Sequence, residues 1–251
     1  MNTATVDKAQ IMYMTNQSTF PKISGSPIAY WVSEALGNAF VKGREMTTYV
    51  DTFLGIITGD NDAFLRQWFE VEKYKVVFHG DNIDSIDLKR QYWIPYNKGG
   101  DFRRWYGIQE DIINWKNGPN DKRRGKRDYS KYYLREYVAW SYTVSSSAKT
   151  IATRYYPNGF LWDVRGSGIF DKSHNLFYLT ALISSKVGFS LLRVKTQALS
   201  CQVENIAEMP VIINEKFRSD IEQYVKENVT VSRIDYESFE TSWDFKKHPL
   251  V

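Results

Sequence analysis

The chain has 251 residues, 43 % apolar and 16 % aromatic, which suffices for a sizeable core and excludes a wholly disordered protein. Its net charge is only +4, and a single cysteine, Cys201, excludes an intramolecular disulfide. No apolar run approaches the roughly 18 residues that cross a bilayer, and the N-terminus lacks the basic-then-apolar profile of a secretory signal. These features predict a soluble protein of a reducing cytoplasm, with no membrane partner.

In chain order, residues 1–19 form a lead-in without a fold signal. Ser26 and Pro27 suit the N-cap and first position of a helix over residues 28–42, with Trp31, Leu36 and Phe40 on one face and Gly43 as the stop. Residues 53–59 read as a strand ending in a turn, and Asp60 or Asn61 caps a short helix through Trp68. Strands are predicted at 70–78 and 90–96, both rich in β-forming residues. A loop follows around Asn117–Asp121, then a strand over Tyr137–Val144. Ile151–Tyr155 and Phe160–Val164 flank Pro157-Asn-Gly159, the signature of a β-hairpin. Asn175 to Leu192 is helical in pattern, and Met209–Ile213 reads as a short strand. Asn214 caps a last amphipathic helix with Phe217, Ile221, Tyr224 and Val225 inward. The fold class is therefore mixed α and β (α+β), a central mixed or antiparallel sheet with flanking helices. Trp31, Trp93, Trp140 and Trp162 are expected in or near the core, and Cys201 as a small buried filler.

Charge is concentrated. Lys98–Arg135 holds eleven Lys/Arg against five Asp/Glu, so the rest of the chain is slightly acidic. Positive charge confined to one segment of a near-neutral protein points to a polyanion, because cations that neutralise phosphates release condensed counterions.

Other chemistries lack their residues. His79, His174 and His248 are far apart and have no Cys or carboxylate at ligand spacing. No Gly-Lys-Ser/Thr phosphate loop occurs, and Gly166-Ser-Gly168 is not a nucleophile elbow. Asp81, Asp84, Asp87 and Lys89 imitate a nuclease cluster only thinly; Asp/Asn-rich loops give that pattern by chance. The chain alone is expected to be non-catalytic.

Several blocks together resemble a known family. Phe20-Pro-Lys-Ile-Ser-Gly-Ser-Pro-Ile-Ala-Tyr-Trp31, Gly55–Val71, Tyr92–Gly107 with Asn114-Trp115, Phe177–Val187, Val203–Val211 and Glu240–Leu250 are similar, in order, to segments of the large PglX-type adenine-specific DNA methyltransferases of BREX phage-defence systems. The resemblance covers nearly the whole chain. It implies a target-recognition-domain-like fold over 20–213, with 214–251 as a closing helix and the start of a following segment. The catalytic signature of that class, Asn/Asp-Pro-Pro-aromatic, is absent, since no two of the seven prolines are adjacent. No cofactor is expected in this chain, and S-adenosylmethionine is implied only for the parent enzyme. The sequence thus resembles the recognition portion of a longer enzyme, separated by truncation or by a split gene. The implied partners are double-stranded DNA, a methyltransferase catalytic domain on the same or a separate chain, and other defence-system subunits.

On that reading Arg103 and Arg104, after Lys98-Gly-Gly100, are the first candidates for base contacts, since a guanidinium fork matches the guanine edge. Lys122, Arg123, Arg124, Lys126 and Arg127 follow as phosphate contacts, and Lys98 belongs to the same DNA-binding set. Tyr106 is a candidate for stacking, and Trp105 for packing. Asn61 and Arg66, from the second block, and Arg154, from the hairpin, complete the DNA-binding set. The alternative function is a protein-interaction module that docks defence-complex subunits or phage inhibitors.

Overall fold

A computed structural model describes residues 21, 23, 30–117, 129–144, 149–196, 198 and 200–250. The fold is mixed α and β, as the sequence indicates, and its centre is three layers thick. One antiparallel sheet joins β2 (Val50–Phe53), β9 (Gly168–Asp171), β6 (Tyr137–Trp140) and β7 (Thr153–Tyr156), in that order. A second joins β3 (Leu65–Gln67), β5 (Asp111–Asn114), β4 (Trp93–Asn97) and β8 (Leu161–Trp162), antiparallel except for the parallel β4–β8 edge.

Alternation along β6 builds both interfaces of the first sheet. Val138 and Trp140 face a core shared with Leu179, Ile183 and Leu191. Tyr137 and Ala139 face an aromatic core with Tyr96, Ile113, Trp162 and Phe170. There Tyr137 stacks on Tyr156 with ring centroids 5.0 Å apart. All four β6 residues are consequently buried, as in a strand covered on both faces.

Helices cover the outer face. The pattern from Asn175 yields two helices, α3 (Leu176–Ser184) and α4 (Lys186–Lys195), bent by 75° at Ser185. Ser185 is extended, and its hydroxyl accepts from the Gly188 amide at 2.9 Å, so one serine ends the first helix and caps the second. Among the described residues no single helix is long and apolar enough to cross a membrane.

Other elements differ from the sequence reading for identifiable reasons. Helix α1 spans Glu34–Lys42 and is capped by Ser33, while the predicted Ser26–Pro27 start lies outside the described residues. Trp31, ahead of it, is exposed rather than in the core. Gly43 does close α1, and the chain then forms β1 (Arg44–Glu45) against β10 (Pro210–Val211). The 53–59 strand is displaced to β2. Asp60 caps α2 (Asn61–Phe64), which stops after four residues because β3 pairs with β5. Residues 70–78 are mainly 3₁₀ turns, with one bridge from Val76 to Trp93. Strand β5 and helix α5 (Val203–Ala207) arise where the local sequence pattern named no element.

The predicted hairpin does not form. β7 pairs with β6 and β8 with β4, so the Asn158-Gly159 turn carries the chain from one sheet to the other. Gly159 supplies the required φ of 110°. Tyr156 and Phe160, on either side of the turn, meet edge to face inside the aromatic core. Helix α6 (Arg218–Glu237) buries Val225, Val229 and Tyr236, whereas Phe217 and Tyr224 are exposed, contrary to expectation. Cys201 is wholly buried, and burial pushes its thiol up to about 12.

Candidate nucleic-acid interface

Arg154 lies on β7 with its side chain toward the second sheet, and it is 0 % exposed. Its Nη1 donates to the carbonyls of Asp101 (2.9 Å) and Arg103 (3.4 Å), and its Nη2 to that of Gly99 (3.1 Å). A single guanidinium therefore holds the loop after β4. Arg154 is removed from the DNA contacts: burial leaves it unreachable, and its fork serves the loop. Gly99 adopts φ 94°, and a Cβ there would lie 2.9 Å from the Arg165 carbonyl oxygen, so this close approach needs glycine.

The neighbouring candidates are likewise engaged within the fold. Arg103 donates from Nε to the Tyr106 carbonyl and from Nη2 to the Asp235 carboxylate on α6 at 2.8 Å. Its guanidinium also sits over the Tyr236 ring. Arg104 donates to the Ser184 carbonyl at the end of α3. Both arginines face helices, one of them against a carboxylate, and position the loop. Tyr106 is 2 % exposed and packs with Val225, Val229 and Tyr236, so it is corrected from a stacking candidate to a core residue. Burial pushes its phenol up to about 12. Trp105 is half-buried and pairs through its main chain with Thr153 and Tyr155 at the edge of β7.

The other three described candidates converge. Asn61 opens α2, Arg66 lies on β3 and Lys98 follows β4, and all three line one open hollow of about 520 Å³. Asp62, Leu65, Gln67, Glu70 and Asp111 complete it. Lys98 Nζ donates to the Asp163 carboxylate at 2.6 Å and to Asn61 Oδ1 at 3.1 Å. Asp163 is buried and also accepts from the Tyr96 hydroxyl (2.9 Å) and the Arg165 amide (2.9 Å). Asn61 additionally accepts from the Thr58 hydroxyl. An adjoining hollow of about 300 Å³ shares Asn61 and Lys98 and reaches Arg165.

Three carboxylates and two cations thus surround the larger hollow. Burial, with the Glu110 charge behind it and Lys98 opposing, raises the Asp111 carboxyl to about 6. A raised carboxyl destabilises the fold once it is ionised. Asp111→Asn is therefore expected to raise Tm above about pH 6, with the gain vanishing below about pH 4, where the acid is protonated folded and unfolded alike. Thermal melts across that range check it, and a gain largest in acid would contradict it.

Gln67, Asp111 and Asp163 carry no sequence signal as site residues: Gln67 falls in a stretch that reads as helix and Asp111 in one without a predicted element, which hides their shared sheet. Lys122, Arg123, Arg124, Lys126 and Arg127 lie outside the described residues. Among the described residues, no three His, Cys, Asp or Glu side chains gather as a metal site.

No protein-family profile matches the chain. Adenine-specific methyltransferase PglX of Lacticaseibacillus casei (strain Zhang) is 32 % identical over 252 residues, covering 96 % of this chain and 20 % of that protein. Adenine-specific methyltransferase BrxX of Escherichia coli O9:H4 (strain HS) is 32 % identical over 247 residues, covering 94 % and 19 %. The chain spans about a fifth of the length of these curated relatives. Among solved structures, the Type IIL restriction-modification enzyme MmeI in complex with DNA aligns with a TM-score of 0.47 at 13 % identity, covering 80 % of this chain and 30 % of that one. Along almost all of its length, then, the chain is a homologue of a segment of the PglX and BrxX adenine-specific methyltransferases, the family its sequence blocks resemble.

Proposed function

We propose that the chain is the duplex-DNA target-recognition part of an adenine-N6 DNA methyltransferase of a BREX-type, restriction-modification-like phage-defence system. On this reading the protein works in the cytoplasm. The catalytic motif and the S-adenosylmethionine site are supplied from outside these residues. The observation that carries the reading is the convergence of Asn61, Arg66, Gln67 and Lys98 on one open hollow, with the relatives' adenine specificity in support.

Charge divides the labour. Asp62, Glu70 and Asp111 outnumber Arg66 and Lys98 in the hollow, so a phosphate is disfavoured there and a base edge is preferred. Arg66, whose Nη1 donates to the Asp62 and Leu65 carbonyls, offers its remaining edge to guanine; Gln67 suits adenine, and Asn61, its amide oxygen taken by Lys98 and Thr58, offers only its amide N–H. Lys122, Arg123, Arg124, Lys126 and Arg127 take the phosphates and set the register. Holding the duplex in register lets a catalytic domain draw the adenine from the stack, a step that costs a few kcal/mol.

Selection of bound duplexes from a randomised pool tests this. Arg66→Ala is expected to cost about 1–3 kcal/mol on the selected site and to relax one of its positions. A uniform loss on every sequence would contradict base reading by Arg66.

A second reading, docking of a defence-complex subunit, is favoured by the outer side of α6. Tyr224, Val231 and Ile234 are exposed there beside Asp220 and Glu227. Tyr224→Lys would break such a contact and leave duplex binding intact.

A further inference from the structure

We propose that Phe102 is a wedge that inserts between base pairs of bound DNA; this rests on the duplex-recognition reading above. Phe102 is 61 % exposed, and no ring contacts it among the described residues. An exposed phenylalanine on a slack loop would mean little. This one sits on a loop held from both sides.

Before and after it, the carbonyls of Gly99, Asp101 and Arg103 are fixed by the buried Arg154. Beyond it, Trp105 donates its amide to Thr153 O at 2.7 Å and accepts from the Tyr155 amide at 2.8 Å. Arg103 is tied to α6, and Arg104 to the end of α3. Within ten positions five residues have positive φ: Gly99, Gly100, Trp105 (71°), Gly107 and Ile108 (56°). Tryptophan and the β-branched isoleucine adopt that region only under constraint from their surroundings, and such constrained backbone concentrates at functional sites.

The result is an apolar ring presented to solvent on a backbone already fixed, so its insertion orders little more of the chain. The Asp101 carboxylate beside it repels a phosphate, which leaves the stacked bases as the apolar surface for the ring. Phenylalanine is among the side chains that part base steps and kink a duplex. Against Phe102 lies a hollow of about 420 Å³ with Val144 and Ile151 in its walls and Ser141, Thr143 and Thr150 at its polar edge, placed to receive a displaced base.

A wedge binds best where the stack is already weak, whatever the sequence. The test compares the full chain on two duplexes of one sequence, fully paired and with a single central mismatch flanked by 2-aminopurine. The wild type is expected to bind the mismatched duplex about tenfold more tightly and to raise the 2-aminopurine fluorescence. Phe102→Ala should lose both effects with an unchanged urea midpoint, because the ring is exposed, and Phe102→Leu should keep most of the preference. Equal affinity of the wild type for the two duplexes, or a preference that survives Phe102→Ala, overturns the wedge and leaves duplex recognition standing. Failure to bind either duplex overturns both.

Discussion

Replacing Arg154 by methionine is expected to destabilise the chain by about 3–5 kcal/mol, because one buried and two part-buried carbonyls lose a charged donor at once and a fully buried side chain is replaced. The carbonyls of Gly99, Asp101 and Arg103 all depend on this guanidinium. Methionine fills comparable space, so the loss reports the hydrogen bonds more than a cavity. Arg154→Lys should recover little, since an ammonium on a flexible stem cannot span three carbonyls as a planar fork does. Urea unfolding measures the cost. A loss below about 1 kcal/mol would mean that the loop is held by its other anchors alone.

Lys98→Met is the second large effect. Asp163 is buried, and Lys98 is its cationic partner at 2.6 Å, with Tyr96 and the Arg165 amide as neutral donors. Removing the cation leaves a buried carboxylate with two bonds and no counter-charge, at a cost of about 2–4 kcal/mol, moderated because the lysine is partly exposed. Asp163→Asn in the Lys98→Met background should restore at least half of that, as the amide oxygen still accepts from Tyr96 and carries no charge. A double-mutant cycle by urea melts measures the coupling. Additive single effects would show that the pair contributes nothing beyond its separate bonds.

How much of this could be read from the residues differs by kind of information. Alternation revealed the β6 strand at Tyr137–Trp140, and Asp60 was recognisable as a cap, because both signals are local. The family resemblance was carried by ordered blocks, and two of them, around Asn61–Arg66 and Lys98, meet in space. Asn158-Gly159 signalled a turn correctly, but turn chemistry does not say which sheet receives the next strand. The bend at Ser185 was hidden because Leu176 to Leu192 keeps helical spacing across it. Charge density was the least informative about individual roles. Arg154 reads in sequence like any arginine in an alternating strand, and only the packed loop reveals that it binds carbonyls. Arg103 looked free for DNA because its partner, Asp235, is 132 residues away along the chain.

Fluorescence anisotropy of the full chain on a duplex of about 25 base pairs, at about 50 and 200 mM salt, decides whether the proposed grip on DNA runs through the cationic segment. If Lys122, Arg123, Arg124, Lys126 and Arg127 each neutralise a phosphate, affinity should fall about 500-fold between those salts, and replacing all five with serine should abolish most of that dependence. Affinity that is indifferent to salt, or no binding at the lower salt, would contradict that grip.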